Sequence, residues 1–149
     1  MIKTTPFEMV FIIREFMENI QFDSGMQCFR VNEKGVLRFN PADPNIYARF
    51  LQVRDKLGEM EQELGAEETV ATQLQLADRK IKELLSWVFG SHNDFEQILD
   101  GVSLLAVATN GQRVLQNLLD ALEPILHKGL QECAAQLIRQ AREERGQGC

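Results

Sequence analysis

IYARFLQVRDKLGEMEQEL, residues 46–64, decides the fold. Its apolar positions are Ile46, Phe50, Val53, Leu57, Met60 and Leu64, at successive spacings of 4, 3, 4, 3 and 4. An α-helix, at 3.6 residues per turn, lines those side chains along one face. Residues 70–90, VATQLQLADRKIKELLSWVFG, repeat the rhythm through Val70, Leu74, Ala77, Ile81, Leu84 and Val88. Each segment predicts a helix about 30 Å long at 1.5 Å of rise per residue. Gly65 and Gly90 stand where helix C-termini favour a residue free to turn left-handed. The link Gly65-Ala66-Glu67 is short, so the two helices are expected to fold back as a long antiparallel hairpin. The narrow apolar stripe suits coiled-coil packing.

Working towards the N-terminus, Asp43 is a good N-cap and Pro44 suits a first helical position, where its missing N–H has no partner. Before it, Asn32-Glu33-Lys34-Gly35 is a turn signal between short runs holding Phe29, Val31, Leu37 and Phe39. That predicts a small β-hairpin over residues 26–39. A lone two-stranded hairpin is marginal in water, so this one must lean on helices or on another chain. Residues 1–22 form an apolar-rich leader, with Phe7, Val10, Phe11, Ile12, Ile13 and Phe16 interrupted by Glu8, Arg14 and Glu15. No small-residue cleavage site follows it, which argues against a secretory signal.

Towards the C-terminus, residues 94–99 predict a short helix. Asp100-Gly101 and Asn110-Gly111 are turn signals around residues 102–109, a run ambiguous between helix and strand. Helical spacing returns with Val114, Leu115, Leu118, Leu119, Leu122, Ile125 and Leu126, and continues through Leu130, Cys133, Leu137 and Ile138. Pro124 removes a hydrogen bond and disfavours helical geometry at Glu123, predicting a kink or break. The apolar face over 114–138 is broader than one thin hairpin covers, so it packs mid-domain or meets a partner. The charged, glycine-containing tail 142–149 is expected to fray. The chain is thus expected to be mainly α: a long helical hairpin plus C-terminal helices, with a small N-terminal β-hairpin. Residues 23–141 would form its single domain.

Composition narrows the function classes. With 44% hydrophobic and 26% charged residues, 149 residues can bury a core. The 16 basic against 22 acidic residues and the absence of a basic run argue against nucleic-acid binding. Three cysteines, Cys28, Cys133 and Cys149, supply no disulfide framework, so a reducing, cytoplasmic setting is expected. No apolar run approaches the roughly 18 residues that span a bilayer, and no membrane partner is expected.

Reactive chemistry is not signalled. His92 and His127 lack metal-binding spacing, and no Cys-x-x-Cys occurs. Glu59, Glu61, Glu63, Glu67 and Glu68 sit at polar helix positions, which reads as a solvated face. Phosphate-loop, dinucleotide and nucleophile-elbow patterns are missing, so neither catalysis nor a cofactor is expected. What remains is protein binding. Trp87, Phe89, Leu104 and Leu105 flank turns where apolar groups are hard to hide, and are the partner-contact candidates. Trp87 and Phe89 also read as ordinary core fillers.

Several of these stretches carry a resemblance. They are Phe22-Asp23-Ser24-Gly25, Phe29-Arg30-Val31-Asn32, residues 37–45 (LRFNPADPN), Arg49-Phe50, the Trp87-Val88-Phe89-Gly90 corner and Asn110-Gly111 with Val114-Leu115-Gln116-Asn117-Leu118-Leu119. Together, over about residues 20–126, they resemble a family of prophage proteins that look like tail-assembly chaperones of long-tailed phages of Gram-positive bacteria. The Phe-Asn-Pro-x-Asp-Pro segment and the Val-Phe-Gly corner are the distinctive parts. Family members often carry a second Phe-Gly where Leu99-Asp100-Gly101 stands here, and usually begin near the Phe-Asp-Ser-Gly stretch. Met17 would make a natural start, so residues 1–16 are expected to come from an upstream start codon.

The resemblance implies a chaperone that coats the phage tape measure protein, recruits tail-tube subunits and departs before the virion is complete. A small structural virion component, at the tail or the head–tail junction, is the competing expectation. The narrow seams also permit a homo-oligomer.

Overall fold

The computed structural model describes residues 17–64 and 71–147. Residues 1–16 of the leader and the Gly65-Ala66-Glu67 link lie outside the described residues. The elements are β1 (Gln27–Val31), β2 (Gly35–Phe39), α1 (Pro44–Leu64), α2 (Ala71–Phe89), α3 (Phe95–Ile98) and α4 (Val114–Gln147). The protein is mostly helical, with one two-stranded antiparallel sheet at its N-terminal side.

The hairpin pairs Phe29 with Leu37 and Val31 with Gly35, and Asn32 and Glu33 take the left-handed backbone its turn needs. Side chains alternate across β2: Leu37 and Phe39 are buried, while Val36 and Arg38 are exposed. Gly35 is required, because a Cβ there would collide with the Ile98 carbonyl. The hairpin does lean on helices. Phe39 stacks on Phe29 and meets Phe89 edge-on at 4.8 Å, and Phe89 lies 5.9 Å from Phe95.

Asp43 caps α1 by accepting the Asn45 N–H at 2.9 Å, and Pro44 takes the first helical position. Ile46, Phe50, Val53 and Leu57 of α1 enter one core with Ile81, Leu85 and Val88 of α2. Arg49, near the start of α1, donates to the Val88 carbonyl, near the end of α2, at 3.1 Å. The α2 stripe is wider than its spacing predicts. Leu85 is fully buried while Leu84 is half-buried, and Asp78 and Lys82 are buried as well. The cause is a second covered side: α2 packs on α1 and also on α3 and the segment after it.

Gly90 ends α2 with φ +114, and Asp94 caps the four-residue α3. Both Asp100 and Gly101 turn with positive φ. Residues 102–109 are neither helix nor regular strand; one bridge joins Val107 to Arg113 across the Asn110-Gly111 turn.

The break allowed for at Pro124 does not occur: α4 passes through Pro124 as one element, and it is helical to Gln147, the last described residue. Pro124 lies on the exposed face beside Asp120 and Glu123, so the carbonyl it leaves unbonded meets water. Residues 142–147 (REERGQ) contain arginine, glutamate and glutamine, all good helix formers, and extend a helix already nucleated.

Candidate partner-binding surface

At 34 residues and 1.5 Å each, α4 is about 51 Å long. Its first half is docked. Leu115, Leu119, Leu122 and Leu126 are buried in the core. At Gly129 the helix backbone touches the Pro41 carbonyl, where any side chain would collide. Beyond that point no side chain of the described part is buried, and only Leu130 and Cys133 are half-covered.

The apolar pattern does not stop where the packing does. Leu130, Cys133, Ala134, Leu137, Ile138 and Ala141 recur at helical spacing down the same side. Leu137 is 62% and Ile138 54% exposed. Gln131, Glu132, Arg139 and Arg142 occupy the remaining directions. A helix that keeps an apolar stripe after leaving the core presents a surface for another helix.

The four predicted contact residues separate. Trp87 is 52% exposed, but Phe89, Leu104 and Leu105 are buried. Proximity to a turn does not expose these three, because the turns fold inward. Phe89 closes the aromatic stack. Leu104 is held by its own backbone, its N–H donating to Asp78 Oδ1 at 2.8 Å and its carbonyl accepting from Leu115 at 2.9 Å. The Arg49 guanidinium sits 5.9 Å from the Trp87 ring centroid, close enough for a cation–π contact.

Trp87 borders an open cleft of about 770 Å³ between α2 and α3, with Arg79, Lys82, Ser86, Asp94 and Glu96 around it. Below it lies a charge network that single-sequence patterning did not signal. Lys82 Nζ bonds Asp78 Oδ2 at 2.8 Å and Glu96 Oε2 at 2.7 Å. Burial disfavours the Lys82 ammonium, yet the hydrogen bonds and charges of Asp78 and Glu96 together outweigh it and raise the pKa. A lysine held so firmly protonated is a structural cation, unsuited to act as nucleophile or base. The i, i+4 spacing of Asp78 and Lys82 was visible in the sequence; their burial was not.

Asn93, 2% exposed, is the other missed residue. Its Oδ1 accepts the Arg38 N–H at 2.9 Å, and its Nδ2 donates to the Arg38 and Phe89 carbonyls at 2.8 and 3.0 Å. One side chain thereby satisfies the outer edge of β2 as a third strand would. His92 Nε2 lies 2.9 Å from the Arg38 carbonyl, and His127 lies on the exposed side of α4 near Pro124. Among the described residues no cluster of His, Cys, Asp or Glu is placed to hold a metal, and no helix is long and apolar enough to cross a membrane.

Compared with protein families, characterised proteins and solved structures, the chain matches none.

Proposed function

We propose that this protein is a tail-assembly chaperone of a long-tailed phage, acting in the host cytoplasm without a cofactor or a catalytic step. One observation carries the reading. The distal half of α4 projects from the core with an apolar stripe that, among the described residues, none covers. Such a stripe takes an amphipathic helix, and a tape measure protein is a long series of them. In this reading α1 and α2 form a long antiparallel helical hairpin, supported by the Arg49–Val88 bond. The hairpin and its core brace the docked end of α4, while Trp87 offers an aromatic anchor on a second face. The formal charge of −6 keeps the loaded complex soluble, and a modest interface lets tail-tube subunits displace it.

The test is co-expression with a tape measure protein of a long-tailed phage as the client. The native chain should keep that client soluble. Leu137→Asp with Ile138→Asp should abolish the effect while leaving the melting temperature unchanged, since both residues are exposed. A client equally soluble without this chain sinks the proposal. So does stoichiometric presence of the chain in purified virions, which would make it a structural component.

A further inference from the structure

The hairpin has two edges, and they are treated differently. On β2, Asn93 takes up both backbone groups of Arg38. In an antiparallel ladder, residues whose backbone groups point outward face partners that also point outward. Cys28 pairs with Arg38 and Arg30 with Val36, so the N–H and C=O groups of Cys28 and Arg30 point away from the hairpin. Among the described residues, none of these four groups has a hydrogen-bond partner across the β1 edge. Proteins usually cover or blunt such an edge. Beside it runs a groove of about 490 Å³ between β1 and α4, lined by Phe29, Val31, Leu37, Val114, Leu118 and Ile125.

The chain also carries a segment shaped for that edge. Residues 17–26 precede β1 without regular structure. Ile20 and Phe22, two residues apart as on one face of a strand, are 82% and 79% exposed. Asn19, Gln21 and Asp23 alternate with them. The charges are complementary: on the face that alternates with Ile20 and Phe22 the segment ends in Asp23, while the outer face of β1 and β2 holds Arg30 and Arg38 and no acidic side chain. The segment is turned from its own edge at the root. The Ser24 carbonyl is tied to Asn40 Nδ2 at 3.0 Å, beyond the β2 end, and Gly25, with φ +78, packs against the Asn40 side chain.

We propose that residues 18–22 of a second copy of this chain add as a third strand to the open edge of β1, with Ile20 and Phe22 seated in the groove. The exchange is reciprocal, each copy giving one strand and receiving one, so it closes as a two-fold dimer.

Two variants attack opposite halves of this contact. Phe22→Asp spoils the donated strand and touches no core residue. Arg30→Pro removes an outward N–H from the edge and spares every bond between β1 and β2. The full-length native chain at about 100 µM should run at twice its 17.0 kDa in sedimentation equilibrium. Each variant alone should run at single mass with its helical circular dichroism intact. An equimolar mixture should recover a heterodimer in native mass spectrometry, because the Arg30→Pro chain keeps its strand and the Phe22→Asp chain keeps its edge. A native chain at single mass, a Phe22→Asp chain still at double mass, or a mixture without the heterodimer overturns the proposal. None of these outcomes touches the client-binding test, which reads α4.

Discussion

Replacing Lys82 with methionine keeps most of the side chain's apolar stem and deletes its charge, which isolates what the buried network contributes. In the native protein the ammonium is 2.8 Å from Asp78 and 2.7 Å from Glu96. The two carboxylates fare differently once it is gone. The Glu96 side chain is 56% exposed and rehydrates. Asp78, only 8% exposed, keeps the Leu104 N–H but is otherwise a stranded charge. Removing one partner of a buried pair costs about 3–5 kcal/mol, and with only one carboxylate stranded the low end applies, about 3 kcal/mol. For a chain of this size that lowers Tm by about 6–12 °C. Adding Asp78→Asn to Lys82→Met should recover about 1–2 kcal/mol, because an amide needs no counter-charge. Alkaline pH supplies an independent check. The folded pKa of Lys82 is raised above 10.5, so its contribution is complete below 10.5 and is lost as pH climbs through the folded value. Urea melts should therefore show a constant gap between native and Lys82→Met proteins from pH 7 to 10, closing above that. A loss under about 1 kcal/mol at pH 7, or a gap that narrows as pH falls from 10 to 7, would refute the reasoning.

Asn93→Ala strands the Arg38 N–H and the Phe89 carbonyl, leaves the Arg38 carbonyl only the His92 ring, and should cost about 1–3 kcal/mol in thermal melts, with faster hydrogen exchange at the Arg38 amide. Gly129→Ala drives a methyl into the Pro41 carbonyl and should cost about 1–3 kcal/mol, whereas Gly146→Ala, with open space around it, should be neutral or slightly stabilising by the same melts. Leu57→Asp or Ile81→Asp buries an unpaired charge at a position 3% or 1% exposed and should unfold the helices, read as lost ellipticity at 25 °C.

Elements specified by neighbouring residues were legible in the sequence. The α1 seam, the Asp43-Pro44 start, the Asn32–Gly35 turn and the two Gly-containing turns after α3 each follow from local backbone preference or period, and each is found where expected. What escaped was decided by distant partners. Whether Leu84 or Leu85 faces inward depends on α3 and residues 99–105 covering a second side of α2, which no window of α2 reveals. Asp78, Lys82 and Asn93 read as surface residues because charged and amide side chains usually are; their burial rests on partners 14 to 55 residues away. Pro124 misled for the opposite reason. A local rule predicted a kink or break, and the break is absent because the packing of Leu122 and Leu126 on the far side holds the helix through it.

The same contrast of local and distant forces explains how the distal half of α4 is helical while exposed. A free helix of seventeen residues is marginal in water because its first turn is costly to form. Residues 131–147 avoid that cost by continuing a helix whose start is already docked through Leu115, Leu119, Leu122 and Leu126. Each added residue then needs only propagation, which glutamine, alanine, arginine and glutamate favour. The segment is therefore ordered by its neighbour and not by its own stripe, and Leu137 and Ile138 remain exposed. A partner meeting this face does not have to fold it, so little ordering entropy is lost on its side of the contact.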